Sequence, residues 1–143
     1  MRAGLRGFLR YAIGLVLLAT AAGKLLDIRG FAGVLDTYRA FPPWALTPLA
    51  AAVSVTELVL ALWLFAGRRV VAAAAASSLL HAGYAAWSAV SLLRGLRLPN
   101  CGCFGVFLVR PLGWNTVIED LALAAASVAL LLLSMPERRT VAG

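Results

Sequence analysis

Charge is what this sequence has least of. Lys, Arg, Asp and Glu make up 13% of its 143 residues, about half the share found in soluble domains. The few charges lie between long apolar runs and do not alternate along amphipathic faces, which argues against a water-facing globular surface. Acidic residues are the scarcer sign, six against 13 basic, and the formal net charge is +7. No basic stripe with interleaved aromatics and no known binding motif accompanies that excess, so no nucleic-acid partner is expected. Cysteine is limited to Cys101 and Cys103, which excludes a multi-bridge scaffold. A phosphate-cradling glycine loop, a Ser-His-Asp set and an HExxH motif are all missing, leaving kinase, hydrolase and metalloprotease readings without support.

What the sequence does have is apolar length. Its hydrophobic share is 62% and its mean hydropathy is +0.90. A bilayer crossing needs about 20 apolar residues, and four stretches supply them, at about 8–26, 45–65, 70–93 and 114–133. Phe41-Pro42-Pro43-Trp44 stops any helix before the second stretch, Gly67-Arg68-Arg69 makes a tight polar turn, and Pro136 ends the fourth. The expectation is an all-α fold: an integral membrane four-helix bundle forming a single domain over 1–143.

Orientation follows from where the basic residues lie. Arg2, Arg6, Arg10, Arg68, Arg69, Arg138 and Arg139 fall on one side; Lys24, Arg29, Arg39, Arg94, Arg97 and Arg110 fall on the other. The first group is packed tightly against span ends with only Glu137 opposing it. Both termini are therefore expected in the cytoplasm, with the first and third loops facing outward across the cytoplasmic (inner) membrane. Trp44 and Trp114 begin their spans at the outer interface, and Trp63 lies near the inner end of the second. The N-terminus also has the layout of a signal peptide, with Ala19-Thr20-Ala21 as a cleavage site. An uncleaved helix is favoured, because Ala12, Ala19, Ala22 and Gly23 suit close packing against neighbouring helices.

Chemistry concentrates in the third loop, where Cys101-Gly102-Cys103 lies between Arg97 and Arg110. Two cysteines across one glycine can close a very small ring. Strained, exposed disulfides tend to be the labile, exchanging kind. Gly102 supplies the backbone freedom such closure demands, and the flanking arginines favour the attacking thiolate. Two other readings stand beside exchange. The pair supplies only two ligands for a soft metal, with no nearby His or Met to complete a site. As a structural clip it closes a loop too short to remove much unfolded-chain entropy.

Within the spans, Glu57 lies near the middle of the second and His81 near the middle of the third. Antiparallel neighbours bring them to similar depth, where they could pair across helices or form a proton relay or quinone pocket. Lys24, near the outer end of the first span, is placed to form an ion pair with Glu119 or Asp120 of the fourth, or to snorkel to the interface alone. Asp36 and Arg39 read as ordinary loop charges.

The run Ala22-Gly23-Lys24-Leu25-Leu26-Asp27, then Phe31, Tyr38, Pro42 and Glu57, then Cys101-Gly102-Cys103-Phe104-Gly105 before a last helix, resembles the MauE family within the DoxX-like membrane proteins. The resemblance implies an accessory protein of methylamine utilisation, supporting disulfide formation in the small subunit of periplasmic methylamine dehydrogenase with a thioredoxin-like partner. It implies Cys101 and Cys103 as the redox pair, and Lys24 and Glu57 as intramembrane polar positions. Where relatives tend to carry a basic residue near the start of the last helix, this chain has Asn115, Glu119 and Asp120.

The leading expectation is a membrane thiol-disulfide redox protein acting on an exported disulfide-containing client. Its electrons would pass to a thioredoxin-like outer-face protein or to a membrane quinone near Glu57 and His81. The rivals are a non-catalytic DoxX-like assembly subunit, with the dithiol as a clip, and a metal-handling membrane protein.

Overall fold

A computed structural model describes residues 1–136; Glu137, Arg138 and Arg139, used above in the orientation reading, lie outside the described residues. The fold is all-helical, with α1 Arg2–Leu25, α2 Ile28–Asp36, α3 Pro43–Ala66, α4 Val70–Leu93 and α5 Trp114–Ser134. Helices α1, α3, α4 and α5 are each long and apolar enough to cross a membrane, as the four hydrophobic stretches predict. Their ends follow the local chemistry. Pro43 occupies the first turn of α3, where no N–H partner is needed. Gly67 closes the same helix in the left-handed region, at φ 67°, its N–H returning to Trp63 and Leu64 carbonyls.

Helix α2 is the element that hydropathy does not announce. Nine residues are too few for a span, so segment 27–42 reads as loop. Locally it is a well-capped amphipathic helix: the Asp27 carboxylate accepts from the Gly30 N–H at 2.8 Å. Phe31 and Ala32 are buried against Leu46 and Ala50 of α3.

Apolar burial cannot drive helices together where lipid is equally apolar, so close approach and polar contacts must. Helices α4 and α5 pack closely, with Ala73 and Ala74 buried in one cluster with Leu130. There the Ser77 and Ser127 hydroxyls lie 3.1 Å apart, and Ser78 Oγ donates to the Ala124 carbonyl at 3.2 Å. The alanine run in α4 is thus a packing face. Helices α1 and α3 form the second close pair, with Gly14 leaving room for the Phe65 ring. The two pairs share a core of Ile13, Leu17, Leu60, Leu64 and Leu130. Val59, Leu62, Leu79, Ile118 and Leu132 point outward, the side that faces lipid. Although consecutive in sequence, α3 and α4 touch sparingly, and this thin seam borders the cavity described below.

The loop after α4 does not project from the bundle, as an exposed exchange loop would. It folds back into it. Leu98 and Leu112 are buried with Tyr38, and the Leu112 N–H bonds the Leu98 carbonyl at 3.0 Å. The Cys101 N–H donates to the Arg110 carbonyl at 2.7 Å. Two glycines allow the deepest contact, backbone on backbone: a Cβ on Gly23 would lie 2.4 Å from the Phe104 oxygen, and one on Gly105 would lie 2.2 Å from the Gly23 oxygen.

Gly105 also adopts φ 68°, a conformation that costs an L-residue about 1–2 kcal/mol. Gly105→Ala should therefore destabilise the folded protein by at least ~1–2 kcal/mol, the steric conflict with α1 adding to the backbone term. Gly83→Ala, where an added Cβ meets nothing within 4 Å, should be neutral or slightly stabilising. Thermal unfolding of both variants in detergent, followed by tryptophan fluorescence, checks the contrast.

Candidate functional site

Three helices converge on Glu57. It is 1% exposed and lies on α3, where one carboxylate oxygen, Oε1, accepts from Lys24 Nζ of α1 at 2.5 Å and from the Tyr84 hydroxyl of α4 at 2.7 Å. Lys24 is almost as deeply buried, with its ammonium 5.4 Å from the Phe31 ring centroid and 5.3 Å from that of Tyr84. The second carboxylate oxygen, Oε2, is buried and has no hydrogen-bond partner among the described residues.

This pairing corrects two sequence expectations. Glu57 does not bond His81; the His81 Nδ1–H donates to the Ser77 carbonyl at 2.8 Å, one turn back on α4, and the ring meets Tyr84 edge-on at 6.3 Å. Nor does Lys24 pair with Glu119 or Asp120. Glu119 takes both Arg110 guanidinium nitrogens, at 2.8 and 2.6 Å, while Asp120 is half-buried and no hydrogen bond joins it to Lys24. His81 spends its Nδ1–H on the Ser77 carbonyl of its own helix, and Glu119 is taken by Arg110. Lys24 lies in the last turn of α1, and side chains on a helix lean toward its N-terminus, so its ammonium reaches back along α1 to the carboxylate.

Cys101 and Cys103 form a disulfide, both residues half-buried. Their Cα atoms are 5.5 Å apart, within the ordinary range for a disulfide. Small as the ring is, its Cα separation is ordinary, and Gly102 turns the chain within it at φ 77°. Further contacts hold the ring and its loop. Gly102 packs on Phe31 and Val34 of α2. The Gly102 N–H donates to Asn100 Oδ1 at 2.9 Å, and Asn100 Nδ2 donates to the Gly105 carbonyl at 3.0 Å. The Tyr38 hydroxyl donates to the Cys101 carbonyl at 2.8 Å. Burial pushes the Tyr38 phenol up to about 12, so the neutral donor persists at all physiological pH, and its stabilising contribution fades only as pH rises from about 10 toward that value. The Cys103 N–H points at Cys101 Sγ, 3.4 Å away. Arg110, expected to favour a thiolate, has its guanidinium engaged by Glu119, the hydrogen bonds holding its pKa even higher than usual. Arg97 is exposed.

Both groups open onto one cavity of about 270 Å³. Cys101, Gly102 and Cys103 line it, as do Lys24, Glu57, Tyr84, His81 and Asp120. Apolar and aromatic side chains form the rest, with Phe41 stacked on Trp87 at 5.4 Å and Tyr38 tilted against Trp87 at 5.6 Å. Tyr84 is the site residue that sequence reasoning missed. Its signal was spacing, since it follows His81 by three positions and shares that helix face.

A sequence model of the family described as "Methylamine utilisation protein MauE" matches residues 3–133. The chain is 34% identical over 122 residues to the "Methylamine utilization protein MauE" of Paracoccus denitrificans, covering 85% of this chain and 66% of that protein, just under two thirds of its length. No solved structure matches.

A buried ion pair tolerates loss of both partners better than loss of one, because a single deletion strands a charge. Lys24→Met and Glu57→Leu should each destabilise by about 3–5 kcal/mol, and the double variant should recover most of that loss. Chemical or thermal unfolding of the four proteins in one detergent, read as a double-mutant cycle, tests the coupling; additive losses would show that the pair does not act as a unit.

Proposed function

The chain belongs to the MauE family, and from that membership and the cradled disulfide we propose a multi-pass membrane thiol-disulfide redox protein that supports disulfide formation in an exported client. The client class fits the family's description in methylamine utilisation, with the small subunit of methylamine dehydrogenase as the candidate and a thioredoxin-like outer-face protein as an exchange partner. Both termini are assigned to the cytoplasm and the Cys101 loop to the outer face of the inner membrane, from the arginines that crowd the opposite end of the bundle.

The observation that carries this reading is the Cys101–Cys103 disulfide, whose loop is held against Gly23 of α1, Phe31 and Val34 of α2 and the Tyr38 hydroxyl, with both cysteines lining the cavity. A clip needs no such cradle. Exchange does, because the attacking thiolate, the attacked sulfur and the leaving sulfur must align. The Cys103 N–H directed at Cys101 Sγ supports a division of labour. A client thiolate attacks Cys103, a new sulfur–sulfur bond forms there, and Cys101 leaves as a thiolate stabilised by that N–H. The second client thiolate then attacks the client sulfur of the mixed disulfide, leaving an oxidised client and a reduced protein.

Cys101→Ser keeps Cys103, the sulfur that bonds the partner, and removes Cys101, whose thiolate can attack Cys103 and release that partner; the Cys103 thiolate, attacking the disulfide of an outer-face protein, should therefore accumulate a reducible cross-link in cells, and Cys103→Ser should accumulate much less. If neither variant captures a partner, and both leave client disulfides and growth on methylamine unchanged, the clip reading replaces exchange. Orientation has its own check: after reduction, a membrane-impermeant maleimide should label Cys101 and Cys103 in spheroplasts. Labelling that requires a permeabilised cytoplasmic membrane reverses the assignment.

A further inference from the structure

A protein that oxidises clients must itself be reoxidised, and the cavity beyond the disulfide has the chemistry of a particular oxidant. Its walls are largely apolar and aromatic, and it lies among membrane-spanning helices. Its volume of about 270 Å³ is close to the lower end for small-molecule sites, ~300 Å³. A protein domain cannot enter such a space; a single substituted ring can.

Two polar groups on residues that line it keep hydrogen-bonding capacity to spare. Glu57 Oε2 is a buried acceptor without a donor, an arrangement that costs free energy unless something supplies one. Beside it, Lys24 spends one N–H on Glu57 Oε1 and turns the rest of its ammonium toward the rings of Phe31 and Tyr84. Residues that carry donors and an acceptor thus line the same cavity as the two-electron redox group, the disulfide.

We propose that this cavity binds the headgroup of a membrane quinone, and that the quinone takes the electrons of the reduced Cys101–Cys103 pair. The inference rests on the exchange reading above and names the electron acceptor for that same site. The couple matches the polar features in both states: a quinone carbonyl accepts from Lys24, and a hydroquinone hydroxyl donates to Glu57 Oε2. The reaction balances within the cavity. Two sulfur–hydrogen bonds break and one sulfur–sulfur bond forms. The two electrons reduce the ring, and two protons arrive on its oxygens, making hydroquinone. The Lys24–Glu57–Tyr84 group can pass the proton to the oxygen it contacts, being refilled from the thiols. Entry from the bilayer is available along the sparsely packed seam between α3 and α4, where Leu49 and Val53 face Tyr84, Trp87 and Ser88 across the cavity.

The test uses the full-length protein in detergent, pre-reduced and freed of reductant, mixed anaerobically with a short-tailed benzoquinone. One hydroquinone should appear per protein as the Cys101–Cys103 disulfide re-forms, followed by quinone absorbance and by mass-resolved alkylation. Lys24→Met and Glu57→Gln should raise the quinone concentration for half-maximal rate at least tenfold. Should either fail to fold, Tyr84→Phe, which removes only a hydroxyl, should raise it several-fold. Quinone should also quench tryptophan fluorescence saturably, and Trp87→Phe should remove most of that quenching. If the reduced protein leaves the quinone untouched but still exchanges with glutathione disulfide, the quinone site is wrong and the exchange reading stands. If the pair is inert to both, the exchange reading falls with it. Quinone reduction with unchanged concentration dependence in the Lys24, Glu57 and Tyr84 variants places the reaction elsewhere and overturns the assignment to this cavity.

Discussion

A lysine and a glutamate buried among membrane-spanning helices set the terms for the rest of this molecule. Either charge alone, at the centre of a span, carries a penalty on the order of 3 kcal/mol. Neutralising them against each other requires that Lys24 and Glu57 meet, and the Tyr84 hydroxyl completes the group. Because these residues come from α1, α3 and α4, one carboxylate oxygen fixes the rotation and the relative height of three helices. The fourth follows through the serine and alanine seam between α4 and α5. Packing alone would tolerate several registers between smooth apolar helices; a buried polar group tolerates few.

The end of α1 that carries Lys24 is also where the disulfide loop docks. Helix α2 presents Phe31 and Val34 there, and the loop with Gly102 and Gly105 presses onto α2 and onto the last turn of α1. The glycines serve steric ends here. Positive φ at both positions turns the chain twice within four residues, and the missing side chains let peptide groups touch. The sulfurs are thereby held by scaffold elements and not by a swinging loop, which suits a reaction that needs alignment.

A disulfide in such a position has two approaches of different character. Toward the loop side it can meet a protein thiol. Toward the bundle it faces a chamber bounded by aromatic rings and a hydrogen-bonded charged pair. Exchange with a client and transfer to a lipid-borne acceptor are distinct chemistries that share two electrons, and a single pair of cysteines between two compartments can serve both. On this view the buried ion pair, whose primary effect is structural, also supplies the polarity that a redox headgroup would recognise.

Much of this architecture was legible before any coordinates. Four hydrophobic stretches bounded by Pro42-Pro43, Gly67 and Pro136 predict four long helices, because backbone groups in lipid must be satisfied within each segment. The Cys-Gly-Cys spacing marked Cys101 and Cys103, and the cost of burying charge marked Lys24 and Glu57. Partnership was not legible. Assigning Glu57 to His81, and Lys24 to Glu119 or Asp120, matched residues by depth alone. Competing partners decided otherwise: His81 bonds the Ser77 carbonyl, Glu119 is taken by Arg110, and Tyr84 joins Lys24 on Glu57, while an amphipathic helix too short for hydropathy to register packs beside them. The loop's descent into the bundle was equally hidden, since the fit of Gly105 on Gly23 is a match between surfaces far apart in the chain. Sequence by itself determined which groups must be buried, held or paired, because those are properties of a residue and its solvent. Tertiary structure alone decided which partner each one found, because that depends on how rigid helices are displaced against one another.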